Sequence, residues 1–108
     1  MTAYAVANLT NVQLGDGIVE YLQRIDATLA PFEGKFLIHG GTPKITEGEW
    51  HGTLIVIAFP DAEHAEGWYD SAAYRDILHL RTDNSDGDAF LIEGVDADHR
   101  ATDVLVTA

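Results

Sequence analysis

Six consecutive apolar residues, Leu54-Ile55-Val56-Ile57-Ala58-Phe59, constrain this chain more than any other segment. Gly52 and Pro60 bound the run, which marks it as a strand over Thr53 to Pro60. Successive side chains of a strand point to opposite faces of its sheet. A sheet with one face in water alternates apolar and polar residues, and this strand does not. Phe36-Leu37-Ile38 does not alternate either. Both faces of the sheet therefore call for burial.

The remaining elements follow from local pattern. AYAVANLT at Ala3 to Thr10 reads as a first strand, with turn residues behind it at Gly15-Asp16-Gly17. Ile18, Leu22, Ile25 and Leu29 recur at three- and four-residue steps and predict a helix. Asp16 is its expected N-cap and Pro31 its expected stop. GKFLIHGG, Gly34 to Gly41, is a second strand ending in two glycines. Pro43 to Trp50 is read as a small extension or hairpin arm. Asp61 and Ser71 are placed to cap two further helices, DAEHAEGWYD and SAAYRDILHLR. DAFLIEGV, Asp88 to Val95, is the last strand.

Strand, helix, strand, strand, helices, strand is the split βαβ order. It predicts an α+β, ferredoxin-like βαββαβ domain: a four-stranded antiparallel sheet with helices on one face. The expected division is one domain over residues 1–95 and a polar tail over 96–108. Helices can cover only one side of such a sheet. A second copy of the chain on the open face gives a homodimer; the arm or the tail folding over that face is the alternative.

Charge and composition narrow the partners. Eighteen Asp and Glu against six Lys and Arg leave a net charge of -12, which repels phosphate backbones and anionic headgroups. Nucleic acid and membrane surfaces are not expected partners. The absence of cysteine removes thiolate metal sites, disulfides and cysteine nucleophiles. MTAYAVANLT lacks the basic start of a signal peptide, and no apolar run reaches bilayer length, so cytoplasmic residence is the expectation.

FEGKFLIHGG, EGEW, VIAFPDAEHAEGWYDSAAYRDILHLR and DAFLIEGV together resemble the family called domain of unknown function 1330. The resemblance spans roughly residues 3 to 95, and its most specific part runs from Phe59-Pro60 through Trp68-Tyr69-Asp70-Ser71 and Tyr74 to Arg81. It implies a ferredoxin-like fold in the dimeric α/β-barrel superfamily and no settled activity. Relatives in that superfamily include cofactor-free monooxygenases, small isomerases and haem enzymes. The tail departs from the usual family ending.

Candidate chemistry concentrates in that stretch. Arg81 could bind a carboxylate or enolate oxygen, and His79 could move a proton beside it. Two residues apart on a continuous helix means different faces, so a shared site requires the helix to end there. The plainer account is a pair of cations complementing the helix dipole. Trp68, Tyr69 and Tyr74 either pack a core or line a ligand pocket. His39, at a strand end before Gly40-Gly41, is either a hydrogen-bonded interior histidine or a catalytic one. His51, His64 and His99 add no compact ligand spacing, so no metal and no cofactor is assigned. Asp83, Asp86 and Asp88 lack the pattern of a calcium loop. The expected activity is binding of a small organic molecule between sheet and helices, with or without cofactor-free turnover. The alternatives are a non-catalytic interaction or stress-associated homodimer, and a haem or metal binder.

Overall fold

A computed structural model describes residues 1–107. Strand β1 (Ala3–Thr10) leads into helix α1 (Asp16–Leu29), followed by β2 (Lys35–His39) and β3 (Thr53–Phe59). Helices α2 (Ala62–Asp70) and α3 (Ala72–Thr82) precede β4 (Asp86–Glu93). The four strands form one sheet in the order β2-β3-β1-β4, with every neighbouring pair antiparallel.

The helices cover one face. Ala3, Ala5 and Leu9 of β1 and Ile57 and Phe59 of β3 are buried beneath Tyr21, Ile25 and Leu29 of α1, Trp68 of α2 and Tyr74 and Ile77 of α3. The opposite face carries Val6, Leu54, Val56, Phe90 and Ile92, which alternate with the buried set in the strand registers. Phe90 and Ile92 are 52% and 53% exposed there, so the unbroken apolar run does produce a second apolar face.

Strand β2 is irregular. Phe36 pairs with Ile57 and His39 with Ile55, with a register shift between Phe36 and Ile38. Leu37 is the extra residue of a bulge, and it is exposed. A bulge changes which face the following residue takes. His39 thereby shares the helix-side face with Phe36, and their rings stack at 4.4 Å.

Helix ends meet expectation in part. Asp61 accepts from the His64 backbone N–H at 2.9 Å, and Ser71 accepts from that of Tyr74 at 3.2 Å. Asp16 does not cap α1. Gly15 holds that position in extended backbone with no side-chain cap, and Asp16 is the first helical residue, where its charge still favours the dipole. Pro31 lies inside a short 3-10 turn, Ala30–Phe32, that continues α1. Residues 43–50 form no strand and pair with nothing in the sheet. Strand β4 starts two residues before the expected Asp88. Gly87 permits this: its φ is +133° and a Cβ there would run into the Asn8 carbonyl of β1.

Candidate functional site

Sheet and helices do not close against each other along their whole length. At the end of the sheet where β1 and β2 finish and β3 and β4 begin, they enclose a cavity of about 640 Å³. That is within the usual range for small-molecule pockets, roughly 300–1,000 Å³. Its floor is the helix side of the sheet, including Ala5, Ala7, Ile55 and Leu91. Ile18, Leu22 and Ile25 of α1 form a wall, and most of the lining is aliphatic or aromatic.

The polar groups gather at one place. The Tyr21 hydroxyl on α1 and the Tyr74 hydroxyl on α3 are hydrogen-bonded at 2.8 Å, both on buried residues. Their rings meet edge to face at 6.2 Å between centroids. The Arg81 guanidinium, from about two turns beyond Tyr74 on α3, sits beside both hydroxyls and lines the cavity with them. Burial pushes the Tyr21 hydroxyl far above its ordinary titration range, and the neighbouring Tyr74 oxygen reinforces this against the opposing effect of Arg81. Tyr21 is thus a neutral hydroxyl. Burial works against the charge of Arg81, but the Tyr74 and Tyr21 oxygens more than offset it, and the guanidinium holds its proton more firmly than usual.

The last turn of α3 is well held. Asn84 Nδ2 donates to the Leu80 carbonyl at 2.8 Å and Ser85 Oγ to the Arg81 carbonyl at 2.7 Å. The Asn84 carbonyl accepts from the Gln13 backbone N–H at 2.7 Å, which ties the helix end to the loop after β1. These bonds satisfy carbonyls that a helix end leaves open and fix the segment from which Arg81 projects.

Arg81, His39, Trp68, Tyr69 and Tyr74 all line the cavity. Their parts differ. Trp68 is a core residue whose Nε1–H donates to Thr28 Oγ1 at 3.0 Å, so its donor is committed. Tyr69 packs on Tyr74 at 5.6 Å and carries Arg75 over its outer ring face at 4.6 Å. His39 is an exposed residue at the mouth. His79 is not brought to the cavity: it is exposed on another side of α3, because α3 continues to Thr82 and two residues turn the helix by more than half a circle. His79 and Arg81 form no common site. Tyr21 joins the site unanticipated. Its position, three residues after Ile18 and four before Ile25, carried the information that it faces inward.

The other polar clusters lie apart. His64 bridges Asp61 at 2.6 Å and Glu33 at 3.4 Å on the surface, and exposed His51 meets Glu49 at 3.3 Å. Among the described residues no group of three or more His, Asp or Glu is arranged to hold a metal ion, and no helix is long and apolar enough to cross a membrane.

This architecture is that of the ferredoxin-like α+β proteins. A family model for a domain of unknown function, DUF1330, matches residues 2–95, and the chain belongs to that family. A protein of unknown function from Rhodopseudomonas palustris superposes with a TM-score of 0.66 at 11% identity, over 88% of this chain and 83% of the other. SnoaB, a cofactor-independent oxygenase from Streptomyces nogalater, superposes with a TM-score of 0.62 at 11% identity, over 92% and 98%. A dimeric ferredoxin-like protein of unknown function from Jannaschia sp. CCS1 gives 0.60 at 13% identity, over 83% and 98%. At these identities the likeness is one of fold. No curated protein matches the chain in sequence.

Proposed function

We propose that this protein is a homodimer, paired through the uncovered sheet face, that binds a small, mostly apolar organic molecule in the cavity between sheet and helices. The cavity carries the reading: about 640 Å³ of largely apolar wall in a domain of 108 residues, with a few convergent polar groups at one end. A domain whose only role is to pair with itself has no use for such a void, since an empty apolar cavity forfeits packing contacts on every side. The uncovered face supports the pairing. Its exposed Phe90 and Ile92 adjoin half-buried Leu54 and Val56 across three strands, a contiguous apolar surface of the kind that marks an interface. The dimeric Jannaschia protein shares the fold, and SnoaB offers an analogy for turnover without a cofactor.

Binding of a neutral apolar fluorophore, N-phenyl-1-naphthylamine, tests the cavity. Saturable binding at one site per chain is expected. Ala7→Phe places a ring in the cavity and should weaken it at least about tenfold, the effect of losing roughly 1.4 kcal/mol of favourable contact. Ala89→Phe fills the same cavity from the sheet edge and serves if the first variant folds poorly. No saturable binding, or binding indifferent to both fillings, would remove the cavity as a ligand site.

A further inference from the structure

Among the described residues Arg81 is the one Lys or Arg that lines the cavity, in a chain dominated by anions. Of eighteen Asp and Glu residues, none lines it. The chain's six Lys and Arg are few, and Arg24 and Arg75 are already paired, with Glu20 at 2.8 Å and Asp70 at 2.9 Å. Arg81 has no carboxylate within 4.0 Å among the described residues. The two tyrosine hydroxyls beside it are hydrogen-bond partners that hold the guanidinium charged, but neutral hydroxyls leave its positive charge unneutralised. Its position in the last turn of α3 suits the helix dipole, but that accounts for the turn it occupies and not for the side to which it is directed.

The groups beside it narrow the chemistry. Two phenols joined by one hydrogen bond have two protons between them, and the shared bond uses one. Arg81 brings only donors, and the buried Tyr21 hydroxyl stays protonated. What remains available at this end of the cavity is therefore a cluster of donors without a basic acceptor. A donor cluster around a fixed positive charge recognises an anionic oxygen pair, which a planar guanidinium can hold by two parallel bonds.

We infer that Arg81, Tyr21 and Tyr74 form an anion subsite, which takes the carboxylate or enolate head of a ligand whose apolar body fills the rest of the cavity. The inference rests on the cavity being a ligand site, as proposed above. It adds the class of ligand: an apolar acid, or a compound that presents an enolate when bound.

The test is displacement of N-phenyl-1-naphthylamine by 4-phenylbutyrate and by its uncharged amide, which have nearly the same shape. The acid should displace the fluorophore at a concentration at least about tenfold below that of the amide, the margin expected of a charge-assisted pair over a neutral one. Arg81→Met should cut the affinity for the acid by about ten- to hundredfold and that for the amide by less than about twofold. Arg81→Lys should fall between, because a point charge cannot reproduce the fork. Tyr21→Phe should weaken the acid selectively and keeps the test open if Arg81→Met folds poorly. Equal displacement by acid and amide, parallel losses for both in the variants, or no displacement by either would overturn the anion subsite and leave the cavity reading standing. Failure of the fluorophore to bind at all would overturn both.

Discussion

At the scale of single residues, position on a helix decides role more than residue type does. Histidine is the side chain usually sought as a proton carrier, yet His79 faces away from the cavity and the less suggestive Tyr21 faces into it. His64 has a different use. Its ring Nδ1 lies 2.6 Å from Asp61 Oδ1, the same oxygen that caps α2, and its Nε2 lies 3.4 Å from Glu33 beyond the α1 end. The bond to Asp61 raises the His64 pKa above its ordinary 6.5, against a smaller burial effect, and the same bond lowers that of Asp61 below its ordinary 3.8. A raised histidine pKa stabilises the fold fully below 6.5, and the gain is lost as pH rises through the folded value. A lowered aspartate pKa stabilises above 3.8, and that gain is lost as pH falls through its own folded value. The two windows overlap between 3.8 and 6.5. The melting temperature of the wild type should exceed that of His64→Gln by most in that interval, and the gap should shrink as pH rises above 6.5 and through the folded histidine's raised value. A gap that stays constant across the range would mean that the imidazolium contributes nothing to the cap. Because both groups are still partly open to solvent, the effect should also weaken with salt.

At the scale of elements, much is legible in the sequence alone, and the exceptions share a cause. The span of β1, the core of β3 and the caps Asp61 and Ser71 are written in short-range pattern, where turn residues and apolar runs leave few alternatives. The bulge at Leu37 is not. It exists only relative to a partner strand, and it decides that His39 rather than Ile38 turns towards the helices. The early start of β4 is likewise a matter of backbone meeting backbone, Gly87 against Asn8. The cavity and the grouping of Tyr21 with Tyr74 and Arg81 depend on how α1 docks beside α3, which no local pattern states. The uncovered side of the strands was legible, and it yields a prediction. Ile92→Glu would bury a carboxylate in the proposed interface once from each copy. An unpaired neutral polar group costs about 1–3 kcal/mol to bury and a carboxylate more, so dimerisation should weaken by more than roughly 2 kcal/mol. Light scattering at micromolar concentration should report twice the chain mass for the wild type and a shift towards one chain mass for the variant. A wild type that is monomeric across that range would end the pairing proposal.

The whole molecule is a slab, with principal extents of 46 × 36 × 20 Å, thin along one axis because it has two layers and no third. Its cavity sits within that thickness, and a ligand reaches it by approaching a molecule whose net charge is -12. If the ligand is an acid, the exterior repels what Arg81 attracts. Arrival and retention then depend on salt in opposite senses. Adding salt shortens the reach of the outer repulsion, since the screening length falls from about 30 Å at 0.01 M to about 10 Å at 0.1 M. It should therefore raise the rate constant for capture of 4-phenylbutyrate in stopped-flow traces, while the pair at Arg81, partly withdrawn from solvent, is screened less. Receptors that attract their ligands by charge slow down as salt is added; this one should speed up. A capture rate that falls with ionic strength would instead mean that the approach to the cavity is locally positive. A site of this kind resembles a letterbox in a fence: traffic is sparse and selected before it arrives, and what does enter meets the positive charge of Arg81 on the inner wall.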